Sequence, residues 1–309
     1  MSRVAQALSS TMFHGLAYAG RLHPQARPAR HGVAVERDRA YGPDPAHVLD
    51  IYRPIARAAP LPVVFYVHGG AFRILSKDTH WLMGLAFARA GYLVVNISYR
   101  LAPRHRFPAA IEDTCRAWRW MLEALPALGG DPARIAVAGE SAGANLITAL
   151  TLATVDRRPE PFAAAVFDAG VVPGAALPFC GLLEVSRPER FAARKRLPAW
   201  VQGMLTRTAA SYLGDTPAGL DRALADPLVV LEGGVALARP LPPMFAPVGT
   251  RDPLLDDTRR LEKALAARGV PCEARYYPGG VHAFHAFVWQ AQARRCWGDA
   301  LAFLARTLR

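Results

Sequence analysis

Gly139-Glu140-Ser141-Ala142-Gly143 directly follows an apolar, β-rich run from Ile135 to Ala138 and opens a segment with helical spacing. A serine at the tip of such a strand-to-helix turn sits in strained backbone with its hydroxyl exposed. Gly139 and Gly143 fit because side chains two residues either side of it would collide across the turn. The turn also offers the Ala142 N–H, and the positive end of the following helix, to charge developing on a bound carbonyl oxygen. Downstream, Asp252 lies just after the run Met244 to Val248, and His282 lies after a run ending at Tyr277. An imidazole with a pKa of about 6.5 can take the serine proton and return it to a leaving group, while a carboxylate fixes its tautomer and stabilises the imidazolium. Chain order Ser141, Asp252, His282 is one in which such triads occur, and the carboxyl ends of parallel strands share one rim where they can converge. The chemistry indicated is acyl transfer through a serine nucleophile.

A second motif, His68-Gly69-Gly70-Ala71-Phe72, follows the strand-like run Val63 to Val67. Its glycine-rich backbone can turn amides toward the nucleophile and complete an oxyanion hole, with His68 holding the loop rather than moving protons. Rival residues exist. Asp256 and Asp257 read as the cap and first turn of the next helix, which leaves Asp252 as the acid. His285 reads as pointing onward into the following helix, which leaves His282 as the base. Glu140 reads as a surface or loop-stabilising carboxylate rather than a second base.

These residues need a frame. From about residue 60 the chain alternates short apolar runs with longer helical segments, the pattern of an α/β protein whose mostly parallel sheet is covered by helices. Further strands are expected at Leu93 to Ile97, Ala164 to Phe167 and Ala274 to Tyr277, with an antiparallel pair before them at His31 to Asp38 and His47 to Arg53. Helices are expected at Thr79 to Ala90, Pro108 to Leu125, Ala144 to Thr154, Asp257 to Ala267 and after Phe284. The whole chain, 1–309, reads as one catalytic domain. Two stretches fall outside the alternation, about 1–40 and about 174–215, and both read as a lid or cap.

Composition narrows the function classes. The 309 residues are 52% hydrophobic, enough for a large core, yet no apolar run is long enough to span a bilayer. Residues 1–20 lack a continuous apolar core of the signal-peptide kind and suit an amphipathic helix, so a cytoplasmic product is expected. The net charge of +12 comes from arginines spread along the whole chain, which argues against nucleic acid; the densest cluster, Arg194-Lys195-Arg196, reads as part of a surface helix. Cys115, Cys180, Cys272 and Cys296 form no C-x-x-C pair and the histidines show no ligand spacing, so neither a metal nor a redox cofactor is expected.

Taken with Ser98-Tyr99-Arg100-Leu101-Ala102-Pro103, Phe107-Pro108-Ala109-Ala110 and Glu112-Asp113, these motifs resemble the hormone-sensitive-lipase-like group of α/β-hydrolases, the bacterial family IV carboxylesterases, over roughly residues 45–290. The resemblance implies an eight-stranded sheet, a helical cap formed by the N-terminus and an insertion before the acid, oxyanion donors at Gly70, Ala71 and Ala142, and hydrolysis of short-chain carboxylic esters without a cofactor. It also implies that a homodimer is a common assembly. Three positions depart from the group: Ala71 where a third glycine is usual, Arg104 where a glutamate is common, and Ala283 where a glycine commonly follows the histidine. An amidase or acyl-peptide hydrolase could use the same triad, as could a lipase working at an apolar surface, and a receptor could use the same fold with a dead site.

Overall fold

The structure, a computed structural model, describes residues 11, 15, 18–58, 60–191, 197–214 and 221–309. Strand β3 (Leu61–Val67) is apolar and almost wholly buried, which only a sheet covered on both faces can satisfy. It runs parallel to β4 (Leu93–Ile97) on one side and to β5 (Gly130–Glu140) on the other. Beyond β5 come β6 (Ala175–Phe179), β7 (Met244–Gly249) and β8 (Cys272–Tyr277), all parallel. The antiparallel strands β1 (Val33–Ala40) and β2 (Val48–Pro54) close the other edge, so the eight-stranded sheet has the order β1-β2-β4-β3-β5-β6-β7-β8.

Alternate residues along each strand feed two cores. Helices α1 (Trp81–Arg89) and α8 (Ala291–Thr307) bury Phe87, Trp297 and Phe303 against Tyr66, Val94 and Phe245. On the opposite face, α2 (Ala109–Leu128), α3 (Ala142–Val155) and α7 (Leu255–Ala267) bury Trp118, Ile147 and Leu261 against Phe65, Val95 and Val137. Every residue of α3 is buried, because α4 (Pro161–Asp168) and α6 (Pro227–Glu232) cover it from outside. The helix that starts just after the motif serine is therefore enclosed along its whole length. α5 (Ala199–Leu213) lies in the insertion between β6 and β7.

Most expected elements form, with ends displaced by a few residues, and one is reassigned. Ala164 to Phe167 is not a strand; it lies in α4, and the strand occupies Ala175–Phe179. Pro161 at the first turn favours a helix start, and only Ala163 and Val166, three residues apart, are buried, which is helical rather than strand periodicity. Within the expected cap ranges, residues 33–40 and 175–179 run in the sheet as β1 and β6. Residues 18–22 are helical, whereas 1–10, 12–14 and 16–17, and the cluster Arg194-Lys195-Arg196, lie outside the described residues.

Candidate active site

The turn at the end of β5 places Ser141 at φ 53°, ψ −113°, a conformation that a non-glycine residue adopts only under strain. The flanking glycines make that turn possible. A Cβ on Gly143 would lie 2.1 Å from the Val67 carbonyl oxygen, and one on Gly139 would lie 2.7 Å from Gly143 backbone, so either side chain would push the start of α3 away from the strand end it packs on, β3 or β5. Ser141 Oγ is 3.0 Å from His282 Nε2. On its far side, His282 Nδ1 donates to Asp252 Oδ2 at 2.9 Å, with Oδ1 at 3.1 Å. The Asp252 side chain is fully buried and also accepts the Leu254 N–H at 2.8 Å, while His282 is about one-third exposed at 35%. Burial works against protonation of His282, but the Asp252 carboxylate, through charge and hydrogen bond, and Glu140 through charge, together lift its pKa above the ordinary imidazole value.

The loop after β3 lies beside this turn. Gly70 has φ 111°, and a Cβ there would meet the Ile74 carbonyl oxygen at 2.1 Å. Ala71 and Phe72 are also left-handed, at φ 55° and 58°, which costs roughly 1–2 kcal/mol per non-glycine residue. The amides of Arg73 and Ile74 donate back to Gly70 O, whereas those of Gly70, Ala71 and Ala142 have no partner among the described residues. A Cβ on Gly69 would meet Glu140 at 3.0–3.1 Å, so the elbow and this loop are in direct contact. His68 is buried, with Nδ1 2.6 Å from Gly69 O and its ring stacked on Tyr99 at 4.2 Å, away from the Ser141–His282 pair. Ala283 takes the left-handed φ of 55°, the conformation that explains why glycine suits the position after the histidine.

Around these loops lies a second layer. Arg100 grips the buried Asp113 with Nε and Nη2, reaches Glu112 at 2.9 Å, and His47 completes the cluster through its Nε2 at 2.9 Å from Asp113. The Ala102 N–H then donates to Phe72 O at 2.8 Å, which fixes the end of the loop after β3. Tyr212, at the end of α5, stacks on Phe72 at 3.7 Å and meets Phe107 edge-on at 5.7 Å, so the insertion helix rests on the same loop. Arg104 is exposed.

Several residues sit where sequence reasoning did not put them. The surface reading of Glu140 fails: it is 6% exposed and hydrogen-bonded to His80 and His285. His285 does not continue into the next helix; it lies in a 3-10 turn, buried. Lys77 is 0% exposed, paired with Asp50 at 2.9 Å, Asp38 at 2.6 Å and Asp78 at 3.2 Å. No local pattern announces these burials, since each charge is met by a residue from a distant strand or loop. Asp256 and Asp257 do occupy the first turn of α7, and Asp257 is further tied to the insertion by Arg190 and the Leu183 N–H. Among the described residues, the one grouping with metal-ligand proximity is Cys180, Asp252 and His282, whose donor atoms lie within 4.8 Å; the latter two are already bonded to each other. The arrangement is a serine hydroxyl, an imidazole and a buried carboxylate in one hydrogen-bonded chain, beside amides that have no partner among the described residues.

That geometry and the sheet order define a class. The α/β-hydrolase fold family matches residues 64–286, and the chain belongs to it. Within the family it sides with the carboxylesterases of the hormone-sensitive-lipase-like group, as its motifs indicate. It is 34% identical over 264 residues to carboxylesterase NlhH of Mycobacterium tuberculosis, covering 84% of this chain and 77% of that one. In structure it is similar to a bacterial heroin esterase, with a TM-score of 0.80 and 26% identity over 98% of this chain and 92% of the other. It is likewise similar to esterase LipW of Mycobacterium marinum, with a TM-score of 0.81 and 26% identity over 99% of this chain and 91% of the other.

Proposed function

We propose that this chain hydrolyses short-chain carboxylic esters, with Ser141 as nucleophile, His282 as general base and acid, and Asp252 as the residue that orients His282. The single observation that carries the reading is the continuous hydrogen-bond chain from Ser141 Oγ through both nitrogens of His282 to buried Asp252. Ser141 Oγ attacks the ester carbonyl as its proton passes to His282 Nε2. The oxyanion is met by the amides of Gly70, Ala71 and Ala142, with Gly69 setting the close approach of their loop to the elbow. His282 returns the proton to the leaving alcohol, and the acyl group stays on Ser141. Water then gives a proton to His282 and its oxygen to the acyl carbon; the acid leaves as Ser141 regains its proton.

His68, Gly139 and Gly143 serve this reading as framework. The cap is assigned to the described part of the insertion that carries α5, together with the N-terminal segment ahead of β1. A homodimer and a cytoplasmic location belong to the same proposal, tested by light scattering and by cell fractionation; among the described residues no helix is long and apolar enough to cross a membrane. The functional test is a series of p-nitrophenyl esters from acetyl to dodecanoyl alongside a p-nitroanilide of the same acyl group. Rates that peak at short acyl chains and exceed anilide turnover support the proposal. Anilide turnover equal to or above that of the ester would assign an amidase, and no turnover of either by folded protein would leave a receptor.

A further inference from the structure

Glu140 adjoins the nucleophile, takes no part in the proton transfers above, and is buried. Its Oε1 lies 2.9 Å from His80 Nε2 and its Oε2 2.7 Å from His285 Nε2, so each ring donates to one carboxylate oxygen. His80 closes the segment that follows the oxyanion loop, and its Nδ1 is anchored 2.9 Å from Thr79 Oγ1 and 3.1 Å from Ser76 O. His285 closes the turn that follows His282; its carbonyl accepts the Trp297 indole N–H at 3.0 Å and its ring packs on Phe179 at 4.8 Å. Glu140 also touches the site of Gly69, where a Cβ would meet its Cγ and Oε1 at 3.1 Å. Three loops thus converge on one carboxylate. An apolar side chain of similar size would fill the same space without the desolvation cost of a buried charge, so packing alone does not account for it.

Resting on the triad reading above, we propose that Glu140 is a positioning residue: through His285 and His80 it locks the His282 loop and the oxyanion loop to the nucleophile turn, and its negative charge supports the imidazolium that His282 becomes. The charge is present at working pH, since burial opposes ionisation but the two imidazoles hold the carboxyl well below the usual carboxylate range. Glu140 adds to Asp252 in lifting the pKa of His282. The titratable groups facing His282 are Asp252, Glu140 and Cys180; those facing Glu140 are His80, His285, Tyr66, Tyr99 and Cys180.

The test compares wild type, Glu140→Gln, Glu140→Asp, His285→Gln and Ser141→Ala on a p-nitrophenyl butyrate pH series, each variant checked by thermal melting. Glu140→Gln should lower kcat roughly 10- to 100-fold, the loss that misplacement of about 1 Å produces, with KM little changed. It should also move the acid limb of kcat/KM to lower pH, because one of the charges favouring His282 protonation is gone, and Glu140→Asp should recover part of both. His285→Gln should lower kcat without lowering that limb, since the carboxylate remains; if Glu140→Gln does not fold, this variant decides by its kcat alone. Wild-type kcat in the folded variants, or a Glu140→Gln loss with the acid limb unmoved, overturns the inference. Activity surviving in Ser141→Ala would instead overturn the triad reading beneath it.

Discussion

Replacing Asp252 with asparagine changes one atom and should reverse the proton on His282. Asp252 Oδ1 accepts the Leu254 N–H at 2.8 Å, so the asparagine oxygen must stay there; an amide nitrogen in its place would set donor against donor. The new NH₂ group then occupies the Oδ2 position, 2.9 Å from His282 Nδ1, and donates to it. Nδ1 becomes an acceptor, the ring carries its hydrogen on Nε2, and that hydrogen faces Ser141 Oγ at 3.0 Å. A histidine in this tautomer cannot take the serine proton. The expected loss in kcat is on the order of 10⁴-fold, or about 5.5 kcal/mol of barrier, the size seen when a triad acid is neutralised in other serine hydrolases. The assay is initial rate on p-nitrophenyl butyrate with a melting curve, because the isosteric change retains the Leu254 bond and should leave the fold intact. A folded Asp252→Asn protein within tenfold of wild type would refute the tautomer argument.

Three other outcomes follow from the same geometry. In the proposed mechanism the neutral His282 imidazole is the base, and its pKa is raised, so kcat/KM should climb with pH through a midpoint above the ordinary imidazole value; a midpoint at or below that value contradicts the Asp252 pairing. Tyr212 is fully buried between Phe72 and Phe107, so Tyr212→Ala should cost about 3–5 kcal/mol in denaturant unfolding. Tyr212→Phe should cost nothing, as its hydroxyl has no partner among the described residues; a loss as large as that of alanine would show that the hydroxyl matters. Lys77→Met would remove the buried cation from Asp50 and leave that carboxylate with Arg37 at 3.3 Å and the Asp38 N–H at 3.1 Å, so the expected loss, measured the same way, stays below the roughly 3–5 kcal/mol of a wholly unpaired buried charge; wild-type stability would mean the pair is not an ionic lock.

How much of this was legible beforehand depended on how local each signal is. The Ser141 turn declares itself because two glycines and a strand-to-helix switch fall within a few residues, and the backbone crowding that forbids a side chain at Gly143 arises where that turn meets the end of β3. Strands β3 and β7 stand out as apolar runs of strand length, and β4 does so with Asn96 as its one polar residue, as suits buried parallel strands. Ala164 to Phe167 failed because four apolar residues carry no usable period; the deciding fact, pairing of Ala175–Phe179 between β5 and β7, is a long-range one. The same limit hid Glu140, His80 and Lys77. A charged residue reads as exposed until its partners are known, and those of Glu140 come 60 residues before it and 145 after. Substrate preference was illegible for a related reason: the α5 contact with Phe72 is made by Tyr212, a residue 140 positions away that no motif records.

The most direct test of the triad is the initial rate of Ser141→Ala against wild type on p-nitrophenyl butyrate under identical conditions. The expected result is a fall on the order of 10⁶-fold, as when the nucleophile is removed from other serine hydrolases, in a protein whose melting curve is unchanged. Turnover near that of wild type would contradict it, because no other hydroxyl is in hydrogen-bond reach of His282 Nε2 among the described residues.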